Sequence, residues 1–246
     1  MAFLRPLLIA LQFLTRLPVT LNGVPDERDI GRSLLYYPLV GLLIGALLSA
    51  LAWMPVGGGD TLRAAILLAV WVFASGGLHL DGLADSADAW IGGLGDRERT
   101  LTIMKDPNCG PAGVVALVVT LLLKFAALQA LLAHNAWMAP ALAPLLGRTG
   151  LPALFLTTPY VRPGGLGDVL ARSLPRRAAL FVVLAVLVGV PLATGVRGLW
   201  LVLAALAAFI WLRALMMRRL GGATGDTAGA LVEIVEVTVL VTAAMV

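Results

Sequence analysis

Three aspartates lie within the run His79-Leu80-Asp81-Gly82-Leu83-Ala84-Asp85-Ser86-Ala87-Asp88, at spacings of four and three. On a helix that continues past Gly82, those spacings put the carboxylates of Asp81, Asp85 and Asp88 on one face. Three like charges so arranged repel, and a bound divalent cation offsets the repulsion. Magnesium suits the set, as a hard ion held by a few carboxylates together with substrate phosphates. Zinc would ask for more histidine or cysteine than this region offers. The plain alternative is a solvated helix end with Asp81 as its cap.

A second acidic group follows Gly221-Gly222-Ala223-Thr224-Gly225-Asp226 and continues into an apolar stretch with Glu233 and Glu236. Spacings of seven and three bring Asp226, Glu233 and Glu236 within a narrow arc of one helix face. Carboxylates at such depth are costly and normally face the bundle interior, either in a site or in its buried support, or paired with a cation such as Arg213. A third group, Gly95-Asp96-Arg97-Glu98-Arg99 with Met104-Lys105-Asp106, offers guanidinium forks and a lysine charge suited to a pyrophosphate. It is equally readable as a solvated charged face.

The elements that must position these groups are membrane helices. Of the 246 residues 60% are hydrophobic and only 13% charged, with a mean hydropathy of +0.95. Long uninterrupted apolar runs exclude barrel strands and leave an all-α polytopic bundle as a single membrane-embedded domain over residues 1–246. About seven spans are expected, near 34–54, 62–80, 112–133, 137–156, 178–194, 199–217 and 228–246. The weak apolar run Leu7 to Leu14 is followed by Arg16 and Pro18 and reads as a retained half-helix or interfacial segment.

Connectors alternate in charge. Residues 19–33, 81–111, 159–177 and 218–227 are rich in arginine, while 55–61, the turn near His134 and 195–198 are nearly free of it. The positive-inside rule makes the rich set cytoplasmic and explains the net charge of +4 without nucleic acid as a partner. Most of the acids fall on the same side, although carboxylates do little to set orientation. Mixed carboxylates and guanidinium groups at one face are what a magnesium-bound phosphate substrate requires. The single cysteine, Cys109, forbids an intrachain disulfide. Lys124, Arg148 and Arg213 read as cations that snorkel or pair within the bundle.

Taken in order, these segments resemble the cobalamin synthase (adenosylcobinamide-GDP ribazoletransferase) family. The resemblance rests on Thr15-Arg16-Leu17-Pro18, Tyr37-Pro38-Leu39-Val40-Gly41, Gly77 through Asp85, Asp96 through Arg99, Ile103 through Asp106, Arg162-Pro163 with Gly165-Leu166-Gly167, and Gly221 through Glu236. It departs at Thr102, where the family commonly has glutamate, and at Pro107-Asn108-Cys109-Gly110-Pro111, where a serine, a basic residue, an aliphatic and a glycine are usual.

The resemblance implies magnesium-dependent transfer of the cobinamide phosphate from its GDP linkage to the 3′-hydroxyl of α-ribazole or α-ribazole 5′-phosphate, releasing GMP in the last steps of vitamin B12 assembly. It implies Asp81 and Asp85 as metal ligands and Asp88 as a further ligand or the base, with Asp226, Glu233 and Glu236 completing or supporting the metal shell. Arg16, His79, Arg97, Lys105, Asp106, Arg162 and Thr224 would bind substrate, Arg97 and Lys105 steadying the departing GMP. The expected setting is the bacterial cytoplasmic membrane with the site facing the cytoplasm, as a homo-oligomer or in association with other B12 assembly enzymes. Two rivals are a CDP-alcohol-type phosphotransferase, which shares only the Asp-Gly start at Asp81-Gly82, and an ion-coupled transporter using Glu233, Glu236 and Lys124.

Overall fold

The computed structural model describes residues 4–21, 23–54, 57–136 and 139–246, which form an all-α bundle. Trp137, the expected start of the fourth span, and Pro55 and Val56 of an outer connector lie outside the described residues. Helix α1 (Leu4–Leu14) has 11 residues, about 16 Å of rise, and is too short to cross. It buries Ile9, Ala10 and Leu14 and is the expected half-helix. Helix α2 (Glu27–Ser33) starts at Asp26, whose side chain accepts the Asp29 N–H at 2.6 Å. A 3-10 turn then leads into α3 (Tyr37–Trp53). Against α3 packs α8 (Ala139–Thr157), so closely at Gly41 and Gly45 that any Cβ there would collide with the backbone of Pro144 and Ala141.

Helix α4 (Gly59–Ser75) has 17 residues, the lower end of a crossing length. Gly76 and Gly77 follow with φ of 65° and 70°, a left-handed pair that glycine adopts without steric cost. The chain turns there by 88° into α5 (Leu78–Gly92). The expected second span, 62–80, is thereby corrected. Apolar residues continue through Leu80, but the direction does not, and α5 lies across the charged end of the bundle outside the spans. Helix α6 (Arg97–Ile103) begins at Asp96, which accepts the Arg99 N–H at 2.7 Å. The remaining elements are α7 (Pro111–Ala133), α9 (Leu166–Ser173), α10 (Arg176–Leu220) and α11 (Gly225–Met245).

Among the described residues, five helical stretches are long and apolar enough to cross a membrane, and a sixth if α4 and α5 are taken as one bent span. Helix α10 holds two crossings. Gly195 departs from helical geometry at φ 66° and ψ −145°. Arg176 Nη2 donates to the Leu156 carbonyl at 2.5 Å and Arg213 Nε to the Thr157 carbonyl at 3.2 Å. In a straight helix those arginines would stand about 55 Å apart, so the chain reverses at Gly195 and returns beside itself. With α10 as two arms, α3, α4, α7, α8 and α11 bring the crossings to the expected seven.

The central element is α11, wrapped by α5, α7, α8 and α10 and buried along most of its length. Its start is fixed by a capping box: Thr224 Oγ1 accepts the Thr227 N–H at 3.2 Å, and Thr227 Oγ1 accepts the Thr224 N–H at 2.9 Å.

Candidate active site

The arginine-rich connectors meet at one end of the bundle. Val161 N–H donates to the Ala223 carbonyl at 2.9 Å and Ala223 N–H to the Pro159 carbonyl at 2.8 Å, zipping residues 159–161 to the start of α11. Arg162 Nη1 donates to Asp226 Oδ2 at 2.8 Å, and Arg97 Nε to the Leu220 carbonyl at 2.7 Å. Gly31 of α2 lies against Ser173 of α9. Arg16 N–H donates to the Ala74 carbonyl at 2.9 Å, which brings the N-terminal segment to the same end. At the far end Gln129 Nε2 donates to Thr61 Oγ1 at 2.9 Å, joining the sparsely charged connectors. The stretch after α4 and the start of the last helix therefore share a face, and Gly82 of α5 packs directly on the Asp226 backbone.

Two clefts adjoin there, and Asp81 lines both. One, of about 430 Å³, is polar and includes Gln12, Thr15, Arg16 and Ser75. The other, of about 230 Å³, runs between Asp81 and Asp226 and is walled by Tyr37, His79, Phe155 and Leu170. The Arg16 side chain lies over Gly76 in the space that a Cβ would occupy, so the left-handed bend also seats this guanidinium beside Asp81.

Charge is unbalanced at the clefts. Partial burial, then Asp81, Asp226 and Asp88 in turn, push the Asp85 carboxyl up to about 6 against the opposing pull of Arg162. A surplus of hard carboxylate oxygen over local cations is the donor chemistry that magnesium takes. Among the described residues no three acidic, histidine or cysteine side chains form a closed ligand cage. Magnesium does not ask for one, because phosphates and water normally complete its shell.

Several expected site residues have other engagements. Both oxygens of Asp88 are taken: Oδ2 accepts the Gly110 N–H at 2.7 Å and Oδ1 the Gly113 N–H at 2.9 Å, so Asp88 caps α7. Thr224, expected to bind substrate, is 0% exposed and its hydroxyl serves the capping box. Asp106 accepts from Asn108 through backbone and side chain at 2.9 and 2.7 Å, and these bonds hold its carboxyl below the usual range. Lys105 stands exposed beside it. His79 is 4% exposed, lines the second cleft, and its Nε2 has no hydrogen-bond partner among the described residues.

Glu233 and Glu236 lie about 10–15 Å deeper along α11 than Asp226. Lys124 Nζ donates to Glu233 Oε2 and to Glu236 Oε2 at 2.6 Å each. Arg148 Nη1 pairs with Glu236 Oε1. Two carboxylates and two cations balance, with the ammonium also 4.3 Å from the Trp71 ring centroid. Glu233 and Glu236, expected to complete or support a metal shell, have their oxygens paired with Lys124 and Arg148. Arg213, the partner considered for them, bonds Thr157 instead.

Gln12, Phe155 and Leu170 carry no signal in one sequence, being common residue types far apart in the chain. The clefts show them only after folding.

Residues 6–244 match the family model of cobalamin-5-phosphate synthase. The adenosylcobinamide-GDP ribazoletransferase of Pseudomonas putida strain GB-1 is 60% identical over 235 residues, spanning 96% of each chain. The protein of the same name from Pseudomonas entomophila strain L48 is 57% identical over 236 residues, covering 96% of this chain and 97% of its own. That of Pseudomonas aeruginosa strain PAO1 is 58% identical over 242 residues, 98% of each. No solved structure matches the chain. These relatives set aside the CDP-alcohol and transporter readings. Match and identity run almost from end to end, over the clefts and the helices that build them alike, and the chain belongs to the cobalamin-5-phosphate synthase family.

Proposed function

We propose that this membrane enzyme is an adenosylcobinamide-GDP ribazoletransferase, joining adenosylcobinamide-GDP to α-ribazole or its 5′-phosphate and releasing GMP. The observation that carries the reading at the level of chemistry is Asp81, shared by a polar cleft with Arg16 and an apolar, aromatic-walled cleft ending at Asp226. A diphosphate bridging two bulky groups needs such a junction.

The ribazole 3′-oxygen attacks the phosphorus attached to cobinamide. The bond from that phosphorus to the bridging oxygen breaks, and the bridging oxygen leaves with GMP. Asp81 and Asp226, which face the cleft, would hold a magnesium ion, whose chemistry is to neutralise charge on the diphosphate oxygens. Asp85, raised to about 6, accepts the hydroxyl proton near neutral pH. Asp88 positions α5 by tying it to α7. Arg16 and Arg162 steady phosphoryl oxygens, and Arg97 and Lys105 receive the departing nucleotide. The charge-rich face is cytoplasmic by its arginine content, in a bacterial inner membrane.

The test is GMP release from adenosylcobinamide-GDP by protein purified in lipid nanodiscs. Turnover that requires both α-ribazole and magnesium is expected. Release independent of α-ribazole would replace transfer with hydrolysis and overturn the proposal.

A further inference from the structure

Behind the aspartate helix lies a groove of about 440 Å³ that no step of the transfer uses, bounded by α5, α7, the second arm of α10 and α11. Its walls are apolar, with Val115, Val119 and Trp211 at half or more exposure. On spanning helices such residues face lipid, so the mouth of the groove is continuous with the bilayer.

Two polar atoms interrupt this surface. Ser86 lines the groove, is 7% exposed, and its Oγ has no hydrogen-bond partner among the described residues. Trp90 lines it one turn further along α5, and its buried Nε1 also has none. Both are donors held in an apolar setting without an acceptor, a condition that buried polar groups seldom keep. Depth narrows the occupant. The groove uses the first turns of α7, the last turns of α10 and the first three turns of α11. All of these lie within about 15 Å of the charged face, in one leaflet.

We propose that this groove is a binding site for one glycerophospholipid. Its ester carbonyls accept hydrogen bonds from Ser86 Oγ and Trp90 Nε1, and an acyl chain follows the apolar walls. At 100° per residue Asp81, Asp85 and Asp88 fall within about 60° of one another, and Leu83 and Trp90 fall roughly 170° away on the opposite face. The lipid therefore supports the back of the helix whose front carries the carboxylates, and it acts as a structural ligand of the aspartate helix. The proposal stands apart from the assigned activity, since the groove lies outside both clefts.

The experiment uses the full chain in detergent, titrated with phosphatidylcholine brominated near the ester end of its acyl chains, with tryptophan fluorescence as the readout. Quenching that saturates near one lipid per chain, with a saturable component reduced in Trp90→Phe, is expected. Quenching that rises in proportion to lipid mole fraction, or is unchanged in Trp90→Phe, means bulk lipid only and overturns the site. In a second arm, Ser86→Ala/Trp90→Phe should need at least fivefold more phospholipid to reach half of its maximal thermal stabilisation. An unchanged half-point also overturns it. Neither arm depends on turnover, so failure of the transferase reading would leave both interpretable.

Discussion

Lys124→Met removes the one ammonium that serves two buried carboxylates, each at 2.6 Å. What remains is Glu233 and Glu236, 4% and 0% exposed, facing Arg148 alone. Breaking a buried ion pair by deleting one partner costs about 3–5 kcal/mol, because the surviving charge is left uncompensated. At about 2–4 °C per kcal/mol for a chain of this size, thermal unfolding in nanodiscs should shift down by about 6–20 °C. The double variant Lys124→Met/Glu233→Gln restores charge balance through the Glu236–Arg148 pair and should recover most of that loss, since residues in one network do not act additively. Magnesium dependence of turnover in whatever folded protein remains should keep its midpoint, because the cluster lies deeper than the clefts. A single variant within about 2 °C of the parent, or a double variant no more stable than the single, would refute the claim that charge balance holds these helices.

Asp81→Asn should lower turnover at least about 100-fold with little change in melting temperature, as expected where a charge stabilises the reacting groups. Asp88→Ala should do the reverse, costing about 2 kcal/mol by orphaning two N–H groups at the start of α7 while losing less activity; paired kcat and melting measurements separate the two. The Asp85 carboxyl at about 6 predicts that turnover falls roughly tenfold per pH unit below that value, because the protonated form cannot accept the hydroxyl proton. In metal-free protein the sign for stability differs. The folded state holds this proton from 3.8 to about 6 where the unfolded state has lost it, so this contribution to stability declines as pH rises through that window. Initial rates across pH and metal-free melting curves, repeated on Asp85→Asn, read both effects. Gly76→Ala strains a φ of 65° and evicts the Arg16 side chain; a loss of about 1 kcal/mol or more and a raised KM for the nucleotide substrate are expected by calorimetry and steady-state kinetics.

Charge alternation among connectors was legible in the sequence because orientation is written locally, in each loop, and the meeting of the four arginine-rich connectors at one face follows from it. The reversal at Gly195 was legible as well: two apolar runs flank a short connector, although the helix is continuous by hydrogen bonding on either side. The one-face placement of Asp81, Asp85 and Asp88 needed only helical spacing. The bend at Gly76 and Gly77 was not, because hydropathy measures what a segment dissolves in and is blind to its direction. Nor was the pairing of Lys124 with Glu233 and Glu236, 109 and 112 residues apart, since periodicity along one helix does not name a partner on another. Asp88 shows the same limit, for a carboxylate capping a different helix has the same spacing as one binding a metal.

Because α11 crosses once, its two ends face different compartments. Its first turn carries Asp226 and lines the second cleft, while its far end at Met245 emerges in the opposite aqueous space. A tether, affinity handle or surface linkage fixed there would hold the protein without shadowing the two clefts, which lie at the other end of the helix.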